Sequence, residues 1–415
     1  MASSAHSIVD LKDYVFFQEG PGLRKWQWTE AGMKVINVTN ILAGGSIDIS
    51  NTSRFISLEE FQKKYSHFAI DVGDVVVASS GNTYGKVGRI KACHLPVMMN
   101  TSVIRFRPIN PEVVHPDYLY AFLRSDFFRS QIERFVVGSA QPNFGPTHVK
   151  LMQLILPEWE HQRRIASIVS AYDDLIENNT RRIEILEEMA RRLYEEWFVQ
   201  FRFPGHEGVA FKKMPIHDVV NVVRGRSYRS ADLVENGRPF VNLKCINRDG
   251  GYRRDGLKYY SGKYKPEQLV SSGDIVMAVT DMTQERRIVA RAALVPDLGE
   301  LQGVISMDLV RIIPKDGVSA LYLYAFFRWS DFSDNVKNHA TGANVLHLHP
   351  DLIANYDIDL PPQEVCKSFE DKVRPAIELA DVLEKKNANL RVQRDLLLPK
   401  LISGEIDVSD IPMPT

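Results

Sequence analysis

The sequence predicts an α+β protein in which two β-rich domains are joined by an antiparallel two-helix coiled coil, the whole forming a pseudo-two-fold internal repeat. Three observations predict it. First, Ile165, Val169, Tyr172, Ile176, Asn179, Ile183, Leu186, Ala190, Leu193 and Trp197 alternate steps of four and three, the heptad seam of a coiled coil. Second, Phe369, Val373, Ala376, Ala380, Leu383, Asn387, Leu390, Arg394, Leu397 and Leu401 do the same near the C-terminus. Third, Tyr118-Leu-Tyr-Ala-Phe122 recurs as Tyr322-Leu-Tyr-Ala-Phe326, and Pro157 and Ile165 recur as Pro361 and Phe369, all 204 residues apart. A repeat this long is a duplication rather than a solenoid unit.

Residues 1–157 form the first domain. Up to about Arg24 they read as an irregular or partly helical lead-in. Short β-prone runs follow at Lys34–Asn37, Asp48–Ser50, Phe68–Ile70, Asp74–Ala78, Val87–Ile90 and Met99–Phe106, separated by turn signals such as Gly44-Gly45 and Ser80-Gly81. A helix is expected from Pro116 to about Phe135, and a last strand at Met152–Leu156. Residues 158–203 form the central long helix, which Pro204-Gly205 stops. Its charged residues between seam positions predict a solvated outer face. The plan then repeats: a second domain over 204–361, a distal helix over 362–406 and a tail over 407–415. Val35-Ile-Asn-Val38 is echoed by Phe240-Val-Asn-Leu243, and Gly73-Asp-Val-Val76 by Gly273-Asp-Ile-Val276. An amphipathic helix this long needs a partner for its stripe. With the helices antiparallel, Trp197 meets Phe369, Tyr172 meets Arg394, and Asn179 faces Asn387. A buried Asn pair fixes register at a cost in stability. Pro375 removes one helix hydrogen bond and predicts a kink or restart.

At 415 residues the chain has material for two to three domains, and 25 % charged with 44 % hydrophobic residues is ordinary for a globular protein. The formal net charge of −1 requires any nucleic-acid surface to be a local patch. Cys93, Cys245 and Cys366 form no CxxC pair, which argues against a disulfide framework or thiolate zinc site. The N-terminus has no signal-peptide core, and no run approaches a membrane span, so a cytoplasmic protein without membrane contact is expected.

No catalytic site is convincing. Ser80-Gly-Asn-Thr-Tyr-Gly85-Lys86-Val87 lacks the first Gly and the Ser/Thr of a phosphate-binding loop. Pro350-Asp351 with Glu370 and Lys372 matches a nuclease pattern only loosely, because Glu370 and Lys372 fall on the outer face of the distal helix. His347-Leu-His349 has no accompanying Cys or carboxylate cluster for a metal. What the domains do offer is cations interleaved with tyrosines, among them Arg224, Arg226, Tyr228, Arg229, Tyr252, Arg253 and Arg254. Arg and Lys attract phosphates, and Asn, Gln, Arg and Asp can read base edges.

The chain resembles the specificity subunit of type I restriction–modification systems. The features that carry the likeness are Leu156-Pro157-x-x-Glu160-x-Gln162-Arg163-Arg164-Ile165 opening the central helix and Arg192-Leu-Tyr-Glu-Glu-Trp-Phe198 closing it. Asp395-Leu-Leu-Leu-Pro-Lys-Leu-Ile-Ser-Gly404-Glu-Ile406 ends the distal helix, and a Gly-Asp-[Ile/Val]-Val turn lies in each domain. Two departures stand out: the second helix opens Pro361-Pro-Gln-Glu-Val-Cys366, and the first strand is blurred before Trp26. The resemblance implies two target recognition domains and a chain that catalyses nothing. It also implies double-stranded DNA and two adenine-N6 methyltransferase subunits as partners, with restriction–translocase subunits in the full complex. S-adenosylmethionine, ATP and Mg²⁺ would bind those partners, not this chain. Two unlike domains on a spacer should read a bipartite, asymmetric site. The seam of 32 residues spans about 48 Å at ~1.5 Å per residue, or on the order of 14 base pairs at ~3.4 Å each.

On this reading Ser80, Asn82, Thr83, Tyr84, Lys86, Gln141 and Asn143 face one half-site. Tyr252, Arg253, Thr283, Gln284, Arg286, Arg287, Asn344 and His347 face the other. The competing class is a coiled-coil scaffold with two protein-binding domains and no DNA recognition.

Overall fold

A computed structural model describes residues 6–50, 52–81, 84–136, 143–205 and 207–411, with the backbone alone for Ala43. The chain divides into two compact units, residues 1–178 with 386–415 and residues 179–385. The division cuts both long helices, so each unit holds one β-rich domain and half of each helix.

In the first unit, β1 (Ser7–Asp10) pairs antiparallel with β9 (Gln153–Leu156). β2 (Val15–Glu19), β8 (Val103–Pro108), β5 (Val75–Ala78) and β6 (Val87–Arg89) form a four-stranded sheet in the order β2-β8-β5-β6. β4 (Phe55–Ile56), β3 (Met33–Ile36) and β7 (Val97–Met99) form a second, with β3 and β7 parallel. The run Val75-Val-Val-Ala78 is buried throughout, as an uninterrupted apolar strand between two packed layers must be. Helical segments are the short α1 (Leu58–Glu60), α2 (Pro116–Leu123), α3 (Asp126–Val136) and α4 (Pro146–Val149). α2 starts where it does because Pro116 fits the first turn and the His115 ring accepts the Asp117 N–H.

The second unit repeats this plan. β10 (Lys212–Pro215) pairs with β22 (Asp357–Leu360). β11 (Val220–Arg224), β20 (Leu309–Pro314), β16 (Ile275–Ala278) and β18 (Ala292–Leu294) form the four-stranded sheet in the matching order. The other sheet has grown to five strands: β12 (Leu233–Val234), β14 (Lys258–Tyr260), β13 (Arg238–Val241), β19 (Gly303–Ile305) and β15 (Leu269–Val270). Its β13–β19 pair is parallel like β3–β7. A two-stranded ladder, β17 (Thr280–Asp281) with β21 (Leu346–His347), completes the strands. The domain's helices are α6 (Ala320–Trp329), α7 (Phe332–Val336) and α8 (Pro350–Ala354).

The repeated motifs now have physical reasons. The first tyrosine of each Tyr-Leu-Tyr-Ala-Phe run is buried and donates its hydroxyl to a strand carbonyl. Tyr118 reaches Ile155 at 2.7 Å and Tyr322 reaches Asp359 at 2.8 Å. Each Gly-Asp turn places its glycine at positive φ, 90° for Gly73 and 86° for Gly273. Each aspartate then folds back on a backbone N–H and holds an arginine: Asp74 with Arg107 at 2.8 Å, Asp274 with Arg311 at 3.0 Å.

The long helices are α5 (Trp159–Tyr194), continued by a π-turn over Glu195–Val199, and α9 (Gln363–Ser403). They pair antiparallel within each unit as the seams predict. In the second unit Trp197 meets Phe369 with ring centroids 6.0 Å apart, and Ile183 clusters with Ala380 and Leu383. In the first, Arg394, 5 % exposed, reaches Asp173 at 2.6 Å, and the buried Asn387 amide donates to the Ile176 carbonyl at 3.3 Å. α9 runs unbroken through Pro375.

Several expectations need correction. The lead-in contains two strands, β1 and β2. Asp48–Ser50 and Phe68–Ile70 are not strands, whereas Phe55–Ile56 is. Of the tail over 407–415, residues 407–411 are described and they pack: Val408 is buried, and Arg164 Nη1 donates to the carbonyls of Val408 and Ile411 at 3.2 and 2.6 Å. Nor is the outer face of the helices all charged, since Leu175, Ile185, Met189, Leu379, Val382, Val392 and Leu396 are exposed on it. No helix among the described residues is long and apolar enough to cross a membrane.

Candidate nucleic-acid interface

In the first unit the turn after β5 is drawn to a loop more than sixty residues away. Ser80 forms an antiparallel bridge with Asn143, and Phe144 donates its N–H to the Ser79 carbonyl at 3.0 Å. Phe144 is fully buried and anchors this junction. Gly81 and Gly85 take positive φ, so the turn reverses tightly and Gly85 N–H returns to the Ala78 carbonyl at 2.8 Å. Asn143 is exposed, Ser80 and Lys86 are half-buried, and Tyr84 leans on the unit's core. The structure thus joins two of the expected reading segments at Ser80 and Asn143. Asn82, Thr83 and Gln141 lie outside the described residues.

The second unit builds the same junction as a true ladder, with Thr280 opposite His347 and Asp281 opposite Leu346. The loop over 279–291 is longer than its counterpart and is organised by one buried carboxylate. Asp281 Oδ1 accepts from the Thr283 N–H and hydroxyl at 2.7 and 2.8 Å, and Oδ2 accepts from Ile288 N–H at 3.2 Å. Arg286 and Ala290 hold φ of 56° and 60°, left-handed backbone unusual for residues with a side chain. Gln284 Nε2 donates to the Ala343 carbonyl at 3.0 Å, tying this loop to the one carrying Asn344 and His347. Arg287 pairs with Glu285 at 3.2 Å, and Arg253 with Asp255 at 2.6 Å. Thr283, Gln284, Asn344 and His347 are exposed around the junction.

Tyr252 does not belong there. Its ring lines a groove of about 730 Å³ walled by Ile183 and Ala380 of the long helices, and burial raises its phenol pKa. Arg253, the next residue, pairs with Asp255 rather than with a residue of the junction.

Sequence reasoning counted Arg224 only as one cation of a basic stretch and did not place it at the junction. A cleft of about 390 Å³ is lined by Arg224, Thr280, His339, Thr341, His347 and His349. Arg224 ends β11, is exposed, and approaches His349 with Nη2 3.2 Å from Nε2. A guanidinium only donates, so His349 Nε2 is the acceptor, while Nδ1 takes the Asp351 N–H at 3.4 Å as the cap of α8. Nδ1 faces the Asp351 carboxylate at 3.2 Å. This chain of partners orients the guanidinium toward the cleft. Among the described residues no group of three or more His, Cys, Asp or Glu is arranged for a metal ion.

The cleft mixes these polar side chains with Val279, Met307 and Leu348, and its arginine lies beside an exposed two-segment junction of the kind that can meet base edges and phosphates. Comparison with known proteins bears on the chain as a whole. Residues 8–188 match the family described as Type I restriction modification DNA specificity domain. The chain is 25 % identical over 346 residues to the type I restriction enzyme MjaIX specificity subunit of Methanocaldococcus jannaschii, covering 78 % of this chain and 76 % of that one. It is 23 % identical over 369 residues to the HindI specificity subunit of Haemophilus influenzae, covering 72 % and 79 %. The crystal structure of the type I S subunit from M. genitalium shares the fold, with TM-score 0.57 at 15 % identity over 96 % of both chains. Residues 8–188 thus carry a type I DNA specificity domain, and the chain is similar over most of its length to type I restriction–modification specificity subunits.

Proposed function

We propose that this chain recognises a bipartite, asymmetric DNA site, one half with each unit, and directs adenine-N6 methylation and restriction by partner subunits. The observation that carries the reading is the repeated junction. One topology presents Ser80 with Asn143 in one unit and Thr280 with His347 in the other, so two readers share a frame and differ in chemistry. The chain supplies recognition and no catalysis. S-adenosylmethionine, ATP and Mg²⁺ belong to its partners, two methyltransferase subunits and the restriction–translocase subunits.

The exposed apolar residues on the long helices support docking of those partners. Ile185, Met189, Val392 and Leu396 are each more than half exposed, an arrangement that solvated helix faces avoid and interfaces use.

The test is sequencing-based detection of N6-methyladenine in the DNA of cells co-expressing this chain with its methyltransferase subunit. One two-part motif, absent when the chain is omitted, is the expected result. An active, bound methyltransferase that leaves no motif would return the chain to the scaffold reading.

A further inference from the structure

The two units differ in charge at one matched place. In the first unit Glu19 ends β2 opposite Ile104 of β8, and Ile104 in turn faces Val77 of β5. In the second unit Arg224 ends β11 opposite Val310 of β20, which faces Met277 of β16. Glu19 and Arg224 therefore occupy the same rung of the same sheet. Their surroundings are exchanged as well. Arg224 is met by His349, the residue that precedes α8, whereas the residue preceding α4 is Gly145. A Cβ built on Gly145 would lie 3.9 Å from Glu19 Oε2, so the carboxylate occupies the place over the glycine that a larger side chain would fill. His347 on the Thr280 ladder corresponds to Asn143 on the Ser80 bridge.

The backbone at this rung is fixed. Gly20 and Gly225 follow the two residues and donate their N–H groups to Val103 and Leu309 at 3.1 Å in both units. A Cβ on Gly20 would collide with the Asn100 carbonyl, and one on Gly225 with the Ser306 carbonyl. The side chains of residues 19 and 224 thus leave a rigid strand end beside the loop junction. Rigid elements place a reading group more accurately than loops do.

We propose that Arg224 and Glu19 are base-reading residues at corresponding positions of the two half-sites. Arg224 takes the O6 and N7 acceptors of a guanine, and Glu19 accepts from the N4 amino group of a cytosine. The contact to His349 uses one of the five N–H donors of Arg224 and steers the rest. A carboxylate has acceptors only, so it selects an amino group and rejects the guanine edge that an arginine selects. The inference rests on the DNA reading proposed above and adds to it which residue types are read where.

The experiment measures the methylation motif conferred by the full chain with its methyltransferase subunit, for wild type, Arg224→Gln and Glu19→Gln. Purified complexes are then titrated with duplexes carrying each of the four bases at the affected position, so a variant too weak to methylate is still read. Wild type should require guanine in one half-site and cytosine in the other. Arg224→Gln should lose its guanine preference by on the order of ten- to a hundredfold and shift toward adenine, whose N6 and N7 suit an amide. Glu19→Gln should lose the cytosine requirement in the other half alone. Thermal melting of each complex within a few degrees of wild type ties the change to reading. Both variants keeping the wild-type motif, both altering the same half, or the altered bases not being guanine and cytosine would overturn the proposal while leaving DNA specificity intact. A wild-type chain that confers no motif would remove both.

Discussion

The two units are one design executed twice, and the places where they agree differ in kind from the places where they part. They agree in the frame. Tyr118 and Tyr322 tie helix to strand, Gly73-Asp74 and Gly273-Asp274 turn the chain, and Asn37 and Asn242 cap the turns after β3 and β13. They part at the junction, where a turn over 79–86 answers a longer loop over 279–291 built on Asp281. They also part at the root of the long helices. In the first unit Gln162, 1 % exposed, accepts the His115 N–H at 2.9 Å and donates to the Val113 and Pro157 carbonyls at 3.0 and 2.9 Å. The corresponding Cys366 makes one long contact to the Pro361 carbonyl at 3.8 Å. The helix seam follows suit: Asn387 and Arg394 on α9 correspond to Ile183 and Ala190 on α5. At these matched positions the first unit uses polar bonds and the second packing, while the second ties its domain to the helices elsewhere through Arg254 with Asp381, Arg328 with Glu187 at 3.0 Å and Lys385 with Asp297 at 2.9 Å.

The largest effect expected breaks the modular side of this comparison. Replacing residues 6–156, which include β1 and β2 with Glu19, with the domain of another family member should replace one half of the methylated motif and leave the other unchanged. A change in both halves would show that the units do not read independently. Next is Asp173→Ala, which strips the counter-ion from the buried Arg124, whose Nη1 lies 2.5 Å from it, and leaves Arg394 with Asp395 alone. Asp173 is partly exposed, so the loss in denaturant melting should be about 3 kcal/mol, the lower end for an unpaired buried charge. An equal loss from a seam alanine in the second unit would erase the contrast. Gln162→Ala should cost about 2 kcal/mol, because buried backbone groups lose their partners, against about 1 kcal/mol for Cys366→Ala. Similar losses would mean that the polar clip adds nothing. The sharpest effect on specificity is expected from Asp281→Ala. It should abolish discrimination in the second half-site while the first half is still read, visible in binding to half-substituted duplexes.

The helices and the repeat were legible because their signals are periodic and long. The seam residues Ile165, Val169, Phe369 and Val373 are each at most 3 % exposed. β1 was not legible, since Ser7–Asp10 is a mostly exposed strand whose partner, β9, lies far along the chain. The two readings that failed as strands pair too briefly to form a ladder: Ala69 makes a single bridge to Met98, and Asp48 a single backbone bond to Asn40. At the junction, sequence found the loops but not their meeting point. Arg224 was visible only as one cation in a basic stretch, and Glu19 not at all, because both sit in strands whose faces depend on register. Tyr252 shows the converse error, a residue with suitable chemistry turned toward the helices.

The glycines after Glu19 and Arg224 carry a consequence for heritable change. Because any side chain at 20 or 225 collides with a neighbouring carbonyl, those codons have no freedom, while the codons just before them have a great deal. A library randomised at position 224 should therefore stay folded and scatter over new target sequences. The same library at 225 should yield mostly misfolded chains. A lineage could then acquire a new DNA address by a single codon change, without reworking the scaffold that presents it.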